Sequence, residues 1–510
     1  MPARTSARAV RAFVDDLERR LAPIDQGILR AEWGLAMGRG PGNLRTLHTR
    51  RHRLLGDPSA LDRTRRYRGH PVPDRVARRL EILERAILAC QIEEAPDIAD
   101  RRDRLSRAIA AFRPRWRGRR VGREVVRRAF RRSPDRRERE RAYRAEDPLY
   151  RPLEAELRTL AVLRNERARA LGFRSFPEFR LSLEGFTVAR LESLIQEAVR
   201  YVPREMRRRR AEFEERSGES GWFPWDLRYS HEVAGGLPDR LFPGASMLGE
   251  VVRAVRRWGF PDRMFQFRVD RHDLSSGGLC LAPDPPADVR VIVHPGGGWQ
   301  QYGALFHEVG HALASRSVRQ PTHLLRWHEH LPGFAGLAEG EGRFFEQIAV
   351  CEPWLRDRPG ISPSLLQTAV ERRPRVPLLA VSNLGEWILQ ELALFRDPAG
   401  DPNAERVRFA RRVFGYDDFR PTSFADSFLV ELPLYTPSYL YAELLRPQLA
   451  ATALADVGGE LWPNPRLGPW LVDRWFRDGS SYDWWVRLRE LSGRPFGARA
   501  FNAEMRAAGG

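Results

Sequence analysis

Two histidines four residues apart, with a glutamate directly after the first, stand in the segment His307-Glu308-Val309-Gly310-His311. On a helix such positions share a face, so both imidazoles can reach one cation. Neutral imidazole suits zinc, and a catalytic zinc takes three protein ligands while one position stays open for water. Glu308 is placed to reach that water rather than the metal. Zinc lowers the pKa of the water, and the carboxylate takes its proton and later delivers it to a leaving amine. A chance occurrence of this pattern in a chain of 510 residues is on the order of one in a hundred. The expectation is one Zn2+ per chain, held in part by His307 and His311, with Glu308 as the general base of a peptidase.

A third ligand must come from elsewhere. No downstream histidine has the spacing of metzincins, so a carboxylate is needed, and Glu329, Glu339, Glu341, Glu346 and Glu352 are the candidates. Residues 334–351 read as one helix, on which Glu339 and Glu346 are seven apart and share a face while Glu341 points roughly opposite. Glu339 is the favoured ligand, and Glu346 the carboxylate that steadies a ligand imidazole. Hydrolysis also passes through an oxyanion that needs a donor. Tyr435 and Tyr439 offer phenols four apart, with Tyr441 close behind. Gly277 and Gly278 would allow a peptide backbone close to a sheet edge.

The elements that must position these groups are mostly helical. Residues 75–89 space their apolar side chains three and four apart, and residues 153–171 repeat the pattern. Gly172 reads as a stop and Ser175-Phe176-Pro177-Glu178 as a new start; residues 191–201 read as a further helix. Residues 218–244, rich in Gly, Pro and Trp, read as a loop or boundary. Short strands are expected at 277–281 and 288–294, and helical texture returns from Tyr302 onward.

Composition narrows the class. Hydrophobic content of 42% supports a real core. No run approaches the ~20 apolar residues of a membrane span, and residues 1–20 carry no apolar signal-peptide centre, so the expected compartment is cytoplasmic. Cys90, Cys280 and Cys351 are widely spaced and odd in number, which suits small buried hydrophobes rather than disulfides. The charge of +19 would suit a nucleic-acid binder, but all 86 basic residues are arginine, a pattern of coding bias. They are densest over residues 101–144, where acidic residues are interleaved. A solvated, partly salt-bridged helical surface is expected there, without specific nucleic-acid binding.

Taken together, these residues resemble the M3 family of zinc metallopeptidases, the thimet oligopeptidase and oligoendopeptidase F group, as a divergent member. Ser276-Gly277-Gly278-Leu279-Cys280 is similar to the family's glycine-rich substrate strand. The run from Asp288 to Gly298 and on through His307 and His311 is similar to its approach to the zinc helix. Ala338-Glu339 with Glu346 resembles the third-ligand helix, and Tyr435 and Tyr439 resemble the substrate and oxyanion tyrosines. Trp225-Asp226, residues 163–173 and residues 491–496 add weaker likeness, so the resemblance runs from about residue 150 onward. The gap from His311 to Glu339 is a few residues longer than in the family, with a loop from His328 to absorb it. The histidine that the family carries shortly before its tyrosine pair is replaced by the neighbourhood of Phe428.

The resemblance implies a mainly α, two-lobed helical body enclosing a deep channel, with one small β-sheet next to the zinc helix. Residues 1–180 would form one wall of the channel and residues 181–510 the catalytic region. The implied activity is hydrolysis of peptide bonds in short oligopeptides. The alternative is a catalytically weak zinc-containing peptide-binding protein of the same fold. Endopeptidase and exopeptidase action, side-chain preference and oligomeric state are not written in the sequence.

Overall fold

The computed structural model describes residues 6–509 apart from residues 236, 275–276, 327–331 and 374. Ser276, Glu329 and the loop from His328 therefore lie outside the described residues. Helices dominate from Ala7–Ala36 to Arg499–Gly509, and the periodic segments of the sequence become Asp74–Glu93, Glu154–Ala170 and Val188–Ala198. Their ends follow local chemistry. Gly172 takes φ of 97° after the second of these helices, a conformation that costs glycine little. Ser175 accepts a hydrogen bond from the Glu178 N–H and so caps the next helix.

Three helices form the centre. The motif helix, Trp299–Ser317, packs against the carboxylate helix, Ala335–Glu346, which packs in turn against the tyrosine helix, Thr436–Val457. Phe306, Val309, Ala312 and Leu313 are fully buried on the motif helix. Burial of each large apolar side chain contributes about 1.5–3 kcal/mol, so this face fixes the helix's rotation. His307, Glu308 and His311 are then left half-buried toward a cleft.

Beside the motif helix lies a three-stranded sheet of β1 (Arg268–Arg271), β2 (Gly278–Asp284) and β3 (Asp288–Val293). The order is β1-β3-β2, with β1 parallel and β2 antiparallel to β3, so β2 is an edge strand. Sequence patterning identifies β2 and β3. It misses β1, whose Arg-Val-Asp-Arg carries one apolar residue, and a two-residue pairing of Arg115–Trp116 with Arg119–Arg120.

Two further expectations change. Within residues 218–244, Pro224–Gly235 is a helix rather than a loop. Trp222 and Leu227 are buried, and Asp226 is wholly buried against Arg139 at 2.7 Å, so tertiary contacts override the Gly/Pro texture. The carboxylate helix also ends at Glu346, where a 3-10 turn over Gln347–Val350 takes over. The stretch Pro363–Arg396, described on either side of residue 374 as the helices Pro363–Arg372 and Arg375–Arg396, is long and apolar enough to cross a membrane by length and composition, a stretch that composition alone did not bring out. Some 67% of its most apolar window is buried inside the fold, as in the core helix of a globular body. Cys90, Cys280 and Cys351 are buried and unbridged. Several arginines of residues 101–144 form ion pairs, among them Arg123 with Glu146 and Arg136 with Asp226.

Candidate active site

The motif helix aims both histidines at one point. Their ring centroids lie 4.6 Å apart at near-right angles. Candidate ligand atoms of His307, His311 and Glu339 all fall within 4.8 Å of one another. His307 Nε2 is 3.4 Å from Glu339 Oε2, and its Nδ1 is 3.5 Å from Glu346 Oε2. One imidazole is thus gripped on both nitrogens by two carboxylates from the same helix. Of the described candidates, Glu341 and Glu352 do not join this cluster.

Glycine makes this approach possible. A Cβ built on Gly342 would stand 2.4 Å from His307 Nε2, and one on Gly310 would stand 2.9 Å from Phe345. The carboxylate helix therefore lies almost against the motif helix, with the His307 ring on the bare backbone of Gly342. Gly→Ala inside a helix ordinarily gains about 0.5–1 kcal/mol, whereas overpacking costs about 1–3 kcal/mol. Gly342→Ala is accordingly expected to lower the melting temperature and to displace the His307 ring, checked by thermal unfolding and the histidine NMR shifts. Unchanged stability would mean that the two helices separate freely. Sequence reading missed this position, although glycines at 336, 340 and 342 within one helix signal close approach.

The same reasoning applies to Gly278, whose added Cβ would stand 2.6 Å from Glu308 Cγ. Glu308 thus folds back onto β2, where the Cys280 N–H donates to it. Gly277, at φ of 89°, faces Gln301 and Ala304 of the motif helix instead. The glycine pair makes room for side chains of the motif helix.

The phenols close the cleft. Tyr435 O–H donates to Glu339 Oε1 at 2.8 Å, Tyr439 also bonds Glu339, and the rings meet edge-to-face at 5.4 Å. Tyr441 is turned away, fully buried and stacked on Phe186. Phe428 lies 6.5 Å from both Tyr435 and Tyr439, on the segment where the resemblance leads one to expect a histidine.

Electrostatics match the crowding. Burial works against a charged His307, but Glu339 and Glu346 outweigh it and push the ring up to about 10. Burial raises Glu308 to about 7, with His307 drawing it down and Glu339 pushing it up. Glu346 is held down at about 2: burial opposes the charge, but Arg343, 2.6 Å away, and His307 prevail. Burial and then Glu339 raise both phenols, which stay protonated as donors.

Tyr435 is aimed by the turn before it. Leu434 sits at φ of 56°, and its N–H donates to the buried Glu391 at 2.6 Å. Burial drives Glu391 up to about 8, against the pull of that N–H. Its folded pKa therefore exceeds the ordinary value. Its stabilising share is complete below about pH 4.5 and drains away as pH rises through about 8. Glu391→Gln, which keeps the acceptor, is expected to match the wild type near the low end and to exceed it by on the order of 4–5 kcal/mol at the high end. Urea midpoints across that range check this, and a gap independent of pH would contradict it.

Arg164, in the helix Glu154–Ala170, donates to the carbonyls of Leu429 and Val430 and pairs with Glu93, so N-terminal helices brace the tyrosine segment. Trp225 and Asp226 stand away from the metal-type cluster: Trp225 stacks on Phe223 and Asp226 binds Arg136 and Arg139.

No protein-family model and no curated protein matches the chain. Solved structures do match over nearly its whole length. Metallocarboxypeptidase 1 of Trypanosoma cruzi superposes with a TM-score of 0.67 at 16% identity, covering 98% of this chain and 99% of that one. A carboxypeptidase of Pyrococcus furiosus gives 0.64 at 16% identity, covering 99% of each. A putative oligoendopeptidase F of Bacillus anthracis gives 0.64 at 14% identity, covering 97% of this chain and 95% of that one. The chain has the helical fold of these peptidases.

Proposed function

We propose that this chain, on a fold it has in common with metallopeptidases, is a divergent zinc peptidase that hydrolyses peptide bonds of short oligopeptides. The observation that carries the reading is His307, with Nε2 at 3.4 Å from Glu339 Oε2 and Nδ1 turned to Glu346. Ligands about 2.0–2.1 Å from a tetrahedral zinc lie roughly 3.3 Å apart, so the spacing and the two-imidazole, one-carboxylate donor set both fit that ion. His307, His311 and Glu339 would hold the zinc, which supplies Lewis acidity toward water and the scissile carbonyl when bound.

The remaining work falls to side chains of the chain itself. Glu346 keeps Nδ1 of His307 in its donor role and so leaves Nε2 for the metal. Glu308, on the sheet side of the cluster, accepts a proton from the attacking water and passes it to the departing amine. Near neutrality it can play both roles, because burial holds its carboxyl at about 7. Tyr435 and Tyr439 remain protonated and can turn a phenolic O–H toward the developing oxyanion. Peptide binds along the outer edge of β2 beside Gly277 and Gly278, whose other side is filled by Gln301, Ala304 and Glu308, and residues 1–180 form the wall opposite the catalytic region.

The test combines metal analysis of purified protein with cleavage of a quenched peptide library before and after chelation. One zinc per chain with chelator-sensitive cleavage supports the reading. Bound zinc without cleavage of any peptide would replace it by a zinc-containing peptide-binding protein.

A further inference from the structure

A cavity of about 850 Å³ opens beside the candidate site. It is bounded by Gln301 and Gly303 of the motif helix and by Glu346, the carboxylate that reaches His307. A side chain on its wall is therefore in direct contact with the cluster proposed to bind zinc. Its size suits part of a peptide rather than a single ion.

The rest of the lining is rich in arginine. Arg209, Arg216 and Arg375 line it but are matched by Glu205 and Glu212. Arg128, Arg131 and Arg373 also line it, and among the described residues none of the three has a carboxylate within ion-pair reach. Arg128 and Arg131 stand three apart on the helix Arg123–Arg132 and so project from one face. His231, also in the lining, is pushed down to about 3 by burial first and then by Arg209, Arg228 and Arg375. Glu124, Glu212, Asp239 and Glu346 also line the cavity, but the arginines outnumber them; an excess of one sign in a concave surface concentrates ligands of the other, and guanidinium matches a carboxylate with two parallel hydrogen bonds.

We propose that this cavity is a substrate subsite for carboxylates, in which Arg128, Arg131 and Arg373 select peptides whose segment beside the scissile bond is anionic. The inference rests on the peptidase reading and adds the substrate class. The carboxylates are those of Asp and Glu side chains or of the peptide's C-terminus.

The experiment uses the metal-loaded protein and matched quenched peptides that carry Asp or Glu, or else Asn or Gln, on either side of the scissile bond. Each peptide is made with a free and with an amidated C-terminus. Acidic peptides with a free terminus are expected to show kcat/KM about tenfold above their amide counterparts at low salt, with the gap narrowing as salt rises. In Arg128→Gln/Arg131→Gln/Arg373→Gln the ratio should fall toward one, with the melting temperature measured alongside to confirm folding. Preference that survives amidation assigns the contact to side chains, and preference lost on amidation assigns it to the terminus. Equal kcat/KM for all four peptide types in the wild type, or a preference untouched by the triple substitution, overturns the proposal. Binding of the same peptides to Glu308→Gln, read by fluorescence anisotropy, keeps this test separate from the peptidase reading. Without any cleavage, tighter binding of acidic peptides still upholds the subsite, and equal binding removes it.

Discussion

Glu308→Gln is expected to retain the full zinc content and to lose peptide cleavage by about 10²–10⁴-fold, the usual contribution of a general acid–base group. That loss is roughly 3–5 kcal/mol in the transition state. Glutamine has the same shape, so it still fits the space beside Gly278 and still accepts the Cys280 N–H. What it lacks is the ability to take and return a proton. The substitution thus separates chemistry from packing, and the expected signature is a fall in kcat with little change in KM. Metal analysis and steady-state kinetics on one preparation read both halves. Retention of more than a tenth of the wild-type kcat would remove Glu308 from the role of base.

The second large effect concerns the metal. Glu339→Ala takes away one of the three proposed donors, the partner of His307 Nε2 and the acceptor of the Tyr435 O–H together. Zinc affinity should fall by more than the roughly 10–100-fold typical of losing an outer carboxylate. The linked readout is thermal. In the wild type, zinc at a thousandfold excess over Kd should stabilise by about 4 kcal/mol, and in Glu339→Ala this increment should vanish. Glu341→Gln is the control, because Glu341 is buried two residues away yet outside the cluster. Calorimetric melts with and without chelator compare the two variants. Loss of the zinc increment in Glu341→Gln but not in Glu339→Ala would move the site.

Much of this geometry was legible because it is local. The spacing of His307, Glu308 and His311 sets one helical face at 100° per residue, whatever surrounds it. Glu339 and Glu346, seven apart, lie on one face for the same reason, and both reach His307. Strand patterning found β2 and β3 because they are written as short apolar and β-branched runs, and it missed β1, whose pairing with β3 comes from a neighbour rather than its own pattern. The helix Pro224–Gly235 was hidden for a similar reason: burial of Asp226 against Arg139, far back in the chain, holds it in place.

By itself the sequence determined a helical face bearing two imidazoles and a carboxylate, the candidate third ligand, and a pair of phenols one turn apart. Each follows from periodicity within a single element, where the backbone dictates which side chains are neighbours. Tertiary structure alone decided how closely those elements meet. It set the His307 ring on Gly342, folded Glu308 into the gap at Gly278, tied Tyr435 to Glu339 and opened an arginine-walled cavity behind Glu346. Such contacts depend on interhelical distances held to within a few tenths of an ångström, set by the packing of residues that are distant in the chain.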